Sequence, residues 1–292
     1  MRVNRRPPFF SSKCVAGLLV LLSLPFVLST AQSQHHAAGP DRLLERASEA
    51  AEDVLAWYDA PIYLVYIVNT YDFFPTDIKP IVLTPSSAEQ SIARSVGIPG
   101  SSSAGSLEPF TIPHVILGAR ALHAIGSELF VDDADARPAL RHTLGMYKAL
   151  VYTQVGTQIA KNLVHRVRPD NSDSKSFFSG HTSTTFAMAS YLQRELDVAL
   201  REWDILAHSA LLRNGLRAAA FSLTYGWAGY VGYSRLRDNR HYLGDVLVGA
   251  LIGTAIGNLI YGEVAREDGG LLRNLTLTSG GDGPQFSFQL HF

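Results

Sequence analysis

An all-α bundle carrying a small C-terminal β-hairpin is the fold predicted by this 292-residue sequence. Apolar residues recur at helical spacing through most of the chain between Asp41 and Arg266. Polar and charged residues gather in short clusters between those stretches, where helix ends leave backbone groups unpaired. After Asp268 the period changes to two: Leu275 and Leu277, then Phe286, Phe288, Leu290 and Phe292, alternate with polar residues across a Ser-Gly-Gly-Asp-Gly-Pro turn. One hairpin cannot close a barrel, so this element packs on the bundle or pairs with another chain.

Taken in order, Arg2, Arg5, Arg6 and Lys13 form a basic start and residues 14–29 an apolar run ending in small residues. That pattern is a secretory signal with cleavage after Ala31, and the run is short for a spanning helix, which needs about 20 apolar residues. Removing those four cations and no acid leaves 21 Lys+Arg against 26 Asp+Glu, a mature charge of −5, which gives no footprint for nucleic acid. The only cysteine, Cys14, lies inside the signal, so the mature chain has neither disulfide nor thiolate chemistry. The expected product is exported, periplasmic or attached to the cell envelope.

Residues 32–40 read as a linker; the helical domain runs over 41–268 and the hairpin extension over 269–292. An amphipathic helix is predicted over 41–56, with Leu43, Leu44, Ala47, Ala51, Val54 and Leu55 near one face. Ile62 to Val68 is an apolar stretch open to helix or strand. From Pro75 to Pro113 the chain is rich in Pro, Gly and Ser and too long for a simple connection. It reads as a structured surface excursion, either a lid or recognition loop or a packing insertion. Further helices are predicted over 112–130, 138–165, 180–202, 205–233 and 241–266. Residues 243–261 have the length and Gly-rich composition of a membrane span, but the charged and amide residues punctuating the neighbouring helices favour a soluble bundle.

Three polar clusters fall between those helices. Lys161 and Arg168, followed by Pro169, close the third of the long stretches; His165 and Arg166 beside them read as solvated cations at a helix end. Ser179-Gly180-His181 opens the next helix, where free N–H groups bind anions and glycine permits close approach. Ser234-Arg235 precedes His241 and Asp245, whose i, i+4 spacing allows a carboxylate to hold one imidazole nitrogen and leave the other as nucleophile. Ser234 is read as support for the turn. Each cluster alone is equally a cap or a structural pair. Together they provide cations, N–H donors and two histidines, the parts needed to bind a phosphoryl group, attack it and protonate the leaving oxygen.

The joint pattern resembles the type 2 phosphatidic acid phosphatase superfamily, which includes exported bacterial acid phosphatases and vanadium-dependent haloperoxidases. The family pattern is Lys, six residues, Arg-Pro; then Pro-Ser-Gly-His; then Ser-Arg, five residues, His, three residues, Asp. It is met by Lys161, Arg168-Pro169, Ser179-Gly180-His181, Ser234-Arg235, His241 and Asp245, with Phe178 in place of the family's proline. The resemblance implies a six-helix core. It also implies phosphate binding by Lys161, Arg168, Ser179, Gly180 and Arg235, with His181 as the acid, His241 as the nucleophile and Asp245 as its orienting partner. The implied enzyme is a phosphoric ester hydrolase that uses no metal or cofactor and acts on a phosphorylated lipid or a small phosphomonoester, with membrane association open. A vanadate-dependent haloperoxidase and a non-catalytic envelope protein are the competing readings.

Overall fold

A computed structural model describes residues 40–70, 80–103, 105, 108–131, 134–266 and the strands at 275–280 and 283–288. The predicted signal and nearly all of the linker lie outside the described residues. Among the described residues are eight α-helices: α1 (Pro40–Val54), α2 (Asp59–Thr70), α3 (Ser87–Val96), α4 (Glu108–Phe130), α5 (Arg137–Leu163), α6 (Gly180–Glu202), α7 (Ala210–Arg237) and α8 (Leu243–Ala265). Two short parallel strands, β1 (Ile81–Val82) and β2 (Val164–His165), pair with each other, and β3 (Leu275–Gly280) with β4 (Gly283–Phe288) form the predicted antiparallel hairpin.

The fold is therefore all-α with a small hairpin, as the periodicity predicts. Residues 59–70 resolve the ambiguity of the apolar stretch in favour of helix. The α5 helix gives way to β2 after Leu163, three residues short of Arg166. In the Pro/Gly/Ser-rich excursion the sequence showed no helix, yet α3 forms there. Ser86 caps it: the Glu89 amide donates to Ser86 Oγ at 3.3 Å and the Ser86 amide to the Glu89 carboxylate at 3.0 Å, so each side chain satisfies the other residue's unpaired N–H.

The hydrophobic core lies among α4, α5, α6 and α8, built from Ile112, Ile116, Met146, Leu150, Met188, Tyr191, Leu192 and Ile260. Small residues make α6 and α8 the most closely packed pair. A Cβ at Gly253 or Gly257 would collide with the carbonyl oxygens of Ser183 and Ala187, so the backbones meet directly. Buried ion pairs fix the relative positions of the outer helices: Arg120 of α4 grips Glu195 of α6 through two bonds of 2.7 and 2.6 Å, and Lys148 of α5 donates to Asp59 of α2 at 2.8 Å. Such pairs specify register more than they add stability. The consequence for function is geometric. The C-terminal ends of α5 and α7 and the N-terminal ends of α6 and α8 converge on one side of the bundle.

Candidate active site

The first site segment is the turn after α5. Arg166 N donates to Ser174 O at 2.9 Å, Ser176 N to Arg166 O at 3.0 Å and Arg168 N to Asp173 O at 2.9 Å, so residues 166–176 close into a narrow loop with Arg166 and Lys175 in a parallel bridge. Asn171 takes a positive φ of 57° within it, a conformation asparagine tolerates. Arg168 is thereby fixed. Its Nε donates to Asp173 at 2.6 Å, and its Nη1 lies 3.1 Å from Arg240 O and 3.4 Å from His241 Nε2.

Lys161, in the last turn of α5, meets the start of α6: a Cβ on Gly180 would stand 3.6 Å from Lys161 Nζ. The same Cβ would press on Thr157 Cγ2 at 3.0 Å, so glycine lets the start of α6 lie close against the last turns of α5. Burial foremost, and then the neighbouring Arg168, lower the Lys161 pKa to about 8 against the opposing pull of Asp173. Ser179 is the N-cap of α6; its fully buried hydroxyl accepts from Thr182 Oγ1 at 2.9 Å, and its amide donates to Asp245 O at 3.1 Å. His181 sits half-buried in the same first turn of α6.

His241, 3% exposed, occupies the short connection between α7 and α8. Its Nδ1 lies 2.7 Å from Ser176 O and 3.9 Å from Asp245 Oδ2. The shorter distance is a hydrogen bond and the longer is not. A bond to a carbonyl requires the proton on Nδ1, which leaves the lone pair on Nε2, facing Arg168. The expected direct grip of Asp245 on the imidazole is therefore replaced by a relay: Ser176 supplies the carbonyl to His241 and its hydroxyl to Asp245 Oδ2 at 2.6 Å. Burial depresses the His241 pKa to about 4; Arg168 and Lys161 push the same way, and Asp245 opposes them.

Arg166 corrects the sequence reading. It is not a solvated cation but 3% exposed, with Nη1 on Asp245 Oδ1, Nη2 on Glu89 Oε2 at 2.7 Å, and its guanidinium 4.8 Å from the centre of the Tyr242 ring. No spacing rule singled it out, because its partners lie 77 and 79 residues away along the chain. Arg235 is held similarly. Its Nε and Nη2 reach Ser234 Oγ, and Nη2 also reaches Asp238 at 2.9 Å. Asp238 in turn accepts from the hydroxyls of Ser101 and Ser103 at 2.8 and 2.7 Å. Ser234 supports the turn as expected, donating to Val231 O at 2.7 Å. Phe178, where the related pattern has proline, is buried. The described part of the excursion is thus pinned to the site at Glu89 and at Ser101 and Ser103.

Fold and site together define a helical protein in which His241, Arg168, Lys161 and the start of α6 gather at converging helix ends. Residues 142–267 match the PAP2 superfamily, and the chain carries a PAP2 domain over that range, which contains all eight predicted site residues. It is 32% identical to a lipid A 1-phosphatase of Porphyromonas gingivalis over 39% of this chain and 23% of that one. It is 29% identical to lipid phosphate phosphatase 2 of Arabidopsis thaliana over 40% of this chain and 49% of the relative. The match therefore spans less than half the length of either relative. A transmembrane PAP2-type phosphatidylglycerolphosphate phosphatase from Bacillus subtilis aligns in structure with a TM-score of 0.42 and 16% identity, over 71% of this chain and 96% of that one.

Proposed function

We propose that this chain is a metal-independent phosphatase acting on lipid phosphates through a phosphohistidine. The observation that carries the reading is the Ser176 carbonyl on His241 Nδ1, which leaves a neutral Nε2 lone pair beside Arg168. His241 Nε2 attacks phosphorus and the P–O ester bond breaks as His181 gives its proton to the departing alkoxide. Water then attacks the phosphorus of the phosphohistidine, His181 takes the water proton, and the P–N bond breaks to return neutral His241. Lys161, Arg168, Arg235 and the α6 N-terminus carry the charge that develops on the equatorial oxygens, with Ser179 and Gly180 shaping that cradle. Asp245, through Ser176, holds the imidazole in place.

The names of the two relatives, a lipid A 1-phosphatase and a lipid phosphate phosphatase, support a phosphorylated lipid as substrate. So does the outer surface. Leu247, Leu251 and Leu259 of α8 are 53%, 71% and 65% exposed, and Leu211, Leu212, Phe221 and Leu223 of α7 are exposed as well. Among the described residues α8 is the one helix long and apolar enough to cross a membrane. An apolar surface of this extent, borne by two neighbouring helices, is suited to lipid contact. The basic start and apolar run of residues 1–31 support a domain on the exported side of a membrane.

The test is phosphate release in EDTA from a lipid phosphate in detergent and from a soluble aryl phosphate, with His241→Ala as control. Release from the lipid that disappears in the variant, together with a trapped phosphohistidine in the parent, is the expected result. Release that survives His241→Ala overturns the mechanism.

A further inference from the structure

Arg235 is a buried cation gripped by two residues of its own turn, through Nε and Nη2 on Ser234 Oγ at 3.1 and 3.0 Å and through Nη2 on Asp238 at 2.9 Å. One stretch of the excursion covers both holders. On the Asp238 side, Ile98 N donates to Arg237 O at 2.8 Å, and Ser103 N reaches the two Asp238 oxygens at 3.1 and 3.0 Å beside the serine hydroxyls. On the Ser234 side stands Gly105, itself buried. A Cβ on Gly105 would lie 2.2 Å from Ser234 Oγ and 2.7 Å from Ser234 Cβ, closer than real Cβ atoms come to their neighbours. Gly105 does not take the left-handed φ that would by itself call for glycine, so this contact sets the need for it. The Ser234 hydroxyl is also committed on its far side, donating to Val231 O at 2.7 Å while it accepts from Arg235. A methyl group at Gly105 would push the hydroxyl off all three bonds.

We propose that Gly105 is a positioning residue for the phosphate cradle: by carrying no side chain it leaves Ser234 Oγ where it accepts from Arg235, and so fixes the guanidinium that meets the anion. This role rests on the phosphatase reading of the cradle and adds to it a residue that touches neither the anion nor Arg235. Gly105 acts through Ser234 alone, because Ser234 and Val231 are the residues a Cβ there would meet.

The probe is inorganic phosphate, with its dissociation constant measured by calorimetry on the full chain in detergent. Gly105→Ala is expected to weaken binding about tenfold, the scale of one charge-assisted hydrogen bond. Ser234→Gly removes both atoms that the added methyl would strike; it weakens binding as well, and adding Gly105→Ala to it should change nothing further. A purely packing role would instead lower the unfolding midpoint of Gly105→Ala and leave its phosphate affinity at the parent value. That outcome, or an equal loss from Gly105→Ala in both backgrounds, overturns the assignment. Should Gly105→Ala not fold, a double variant that folds and matches Ser234→Gly in affinity upholds the assignment, and one that does not overturns it. A parent that binds phosphate but releases none from an aryl phosphate sinks the phosphatase reading and leaves these ratios standing; a parent that binds no phosphate defeats both.

Discussion

Arg166 joins Asp245 to Glu89, one guanidinium nitrogen on each carboxylate, and so ties the excursion helix α3 to the residue behind the candidate nucleophile. Asp245 is fully buried and Arg166 nearly so, whereas Glu89 keeps one-fifth of its side-chain exposure. Removing one partner of a buried pair strands the other charge, which costs about 3–5 kcal/mol.

Arg166→Ala is therefore expected to lower the unfolding midpoint and to reduce kcat, because Asp245 would shift and carry Ser176 with it. Glu89→Gln, acting at a wetter contact, should cost about 1 kcal/mol or less. Thermal unfolding of the two variants beside kcat on an aryl phosphate makes the comparison. Equal, small losses in both would show that Arg166 does not position the site.

The depressed pKa of His241 has a definite sign. In the unfolded chain imidazole takes a proton near pH 6.5, while the buried ring resists protonation down to about pH 4. The unfolded state thus binds more protons in that window. The contribution of this group to stability is fully present above pH 6.5 and is lost as pH falls through 4, amounting to about 3 kcal/mol. For catalysis, kcat/KM should stay level on acidification from pH 7 to 5 and drop near pH 4. An acid limb centred at pH 6.5 would sink this assignment of the nucleophile.

Lys161 sets the opposite limb of ligand binding. With its pKa lowered to about 8, the ammonium that faces the cradle is charged below that pH and is lost above it. The dissociation constant for inorganic phosphate should rise as pH climbs from 8 to 10, where the ligand's own charge is constant. Lys161→Met should bind more weakly at pH 7 and show no such rise. A parent curve that is flat over this range would contradict the placement of Lys161 at the anion.

Asp238 is the hinge between the excursion and Arg235. Asp238→Ala leaves Arg235 held by Ser234 Oγ and removes the carboxylate that accepts from the Ser101 and Ser103 hydroxyls, so the cradle cation and the loop lose the anchor they share. KM for an aryl phosphate is expected to rise about tenfold, since one charge-assisted bond is worth about 1.5–3 kcal/mol. The double variant Ser101→Ala, Ser103→Ala, which leaves the Arg235–Asp238 pair in place, should raise KM by less. An unchanged KM in Asp238→Ala would mean that Arg235 is held by Ser234 alone.

What could be read along the chain was whatever repeats or recurs at short range. Helical period marked α1 and the long helices, period two marked the hairpin, and the spacings Lys161–Arg168, Ser179–His181 and His241–Asp245 marked the chemistry. Those signals are local because a helix turn or a strand pleat brings only near neighbours onto one face. The boundaries were weaker: α5 stops at Leu163, because β2 pairs with the excursion strand β1 just beyond it. The α3 helix was hidden among Pro, Gly and Ser.

Only the tertiary structure decided what those residues touch. Arg166, read as a solvated end charge, became buried because Glu89 and Asp245 approach it from two distant segments. Asp245 stands 3.9 Å from His241 Nδ1, which donates its proton to the Ser176 carbonyl at 2.7 Å instead. The exposed side of α8 was decided in the same way: its glycines had to face α6 to bring the two backbones together, and that turned Leu247, Leu251 and Leu259 outward. The order of residues determined which chemistry was available to this chain. Packing between segments far apart in sequence determined which charges were paired, which nitrogen was left free and which face was left apolar, because those outcomes depend on distances that short-range pattern does not encode.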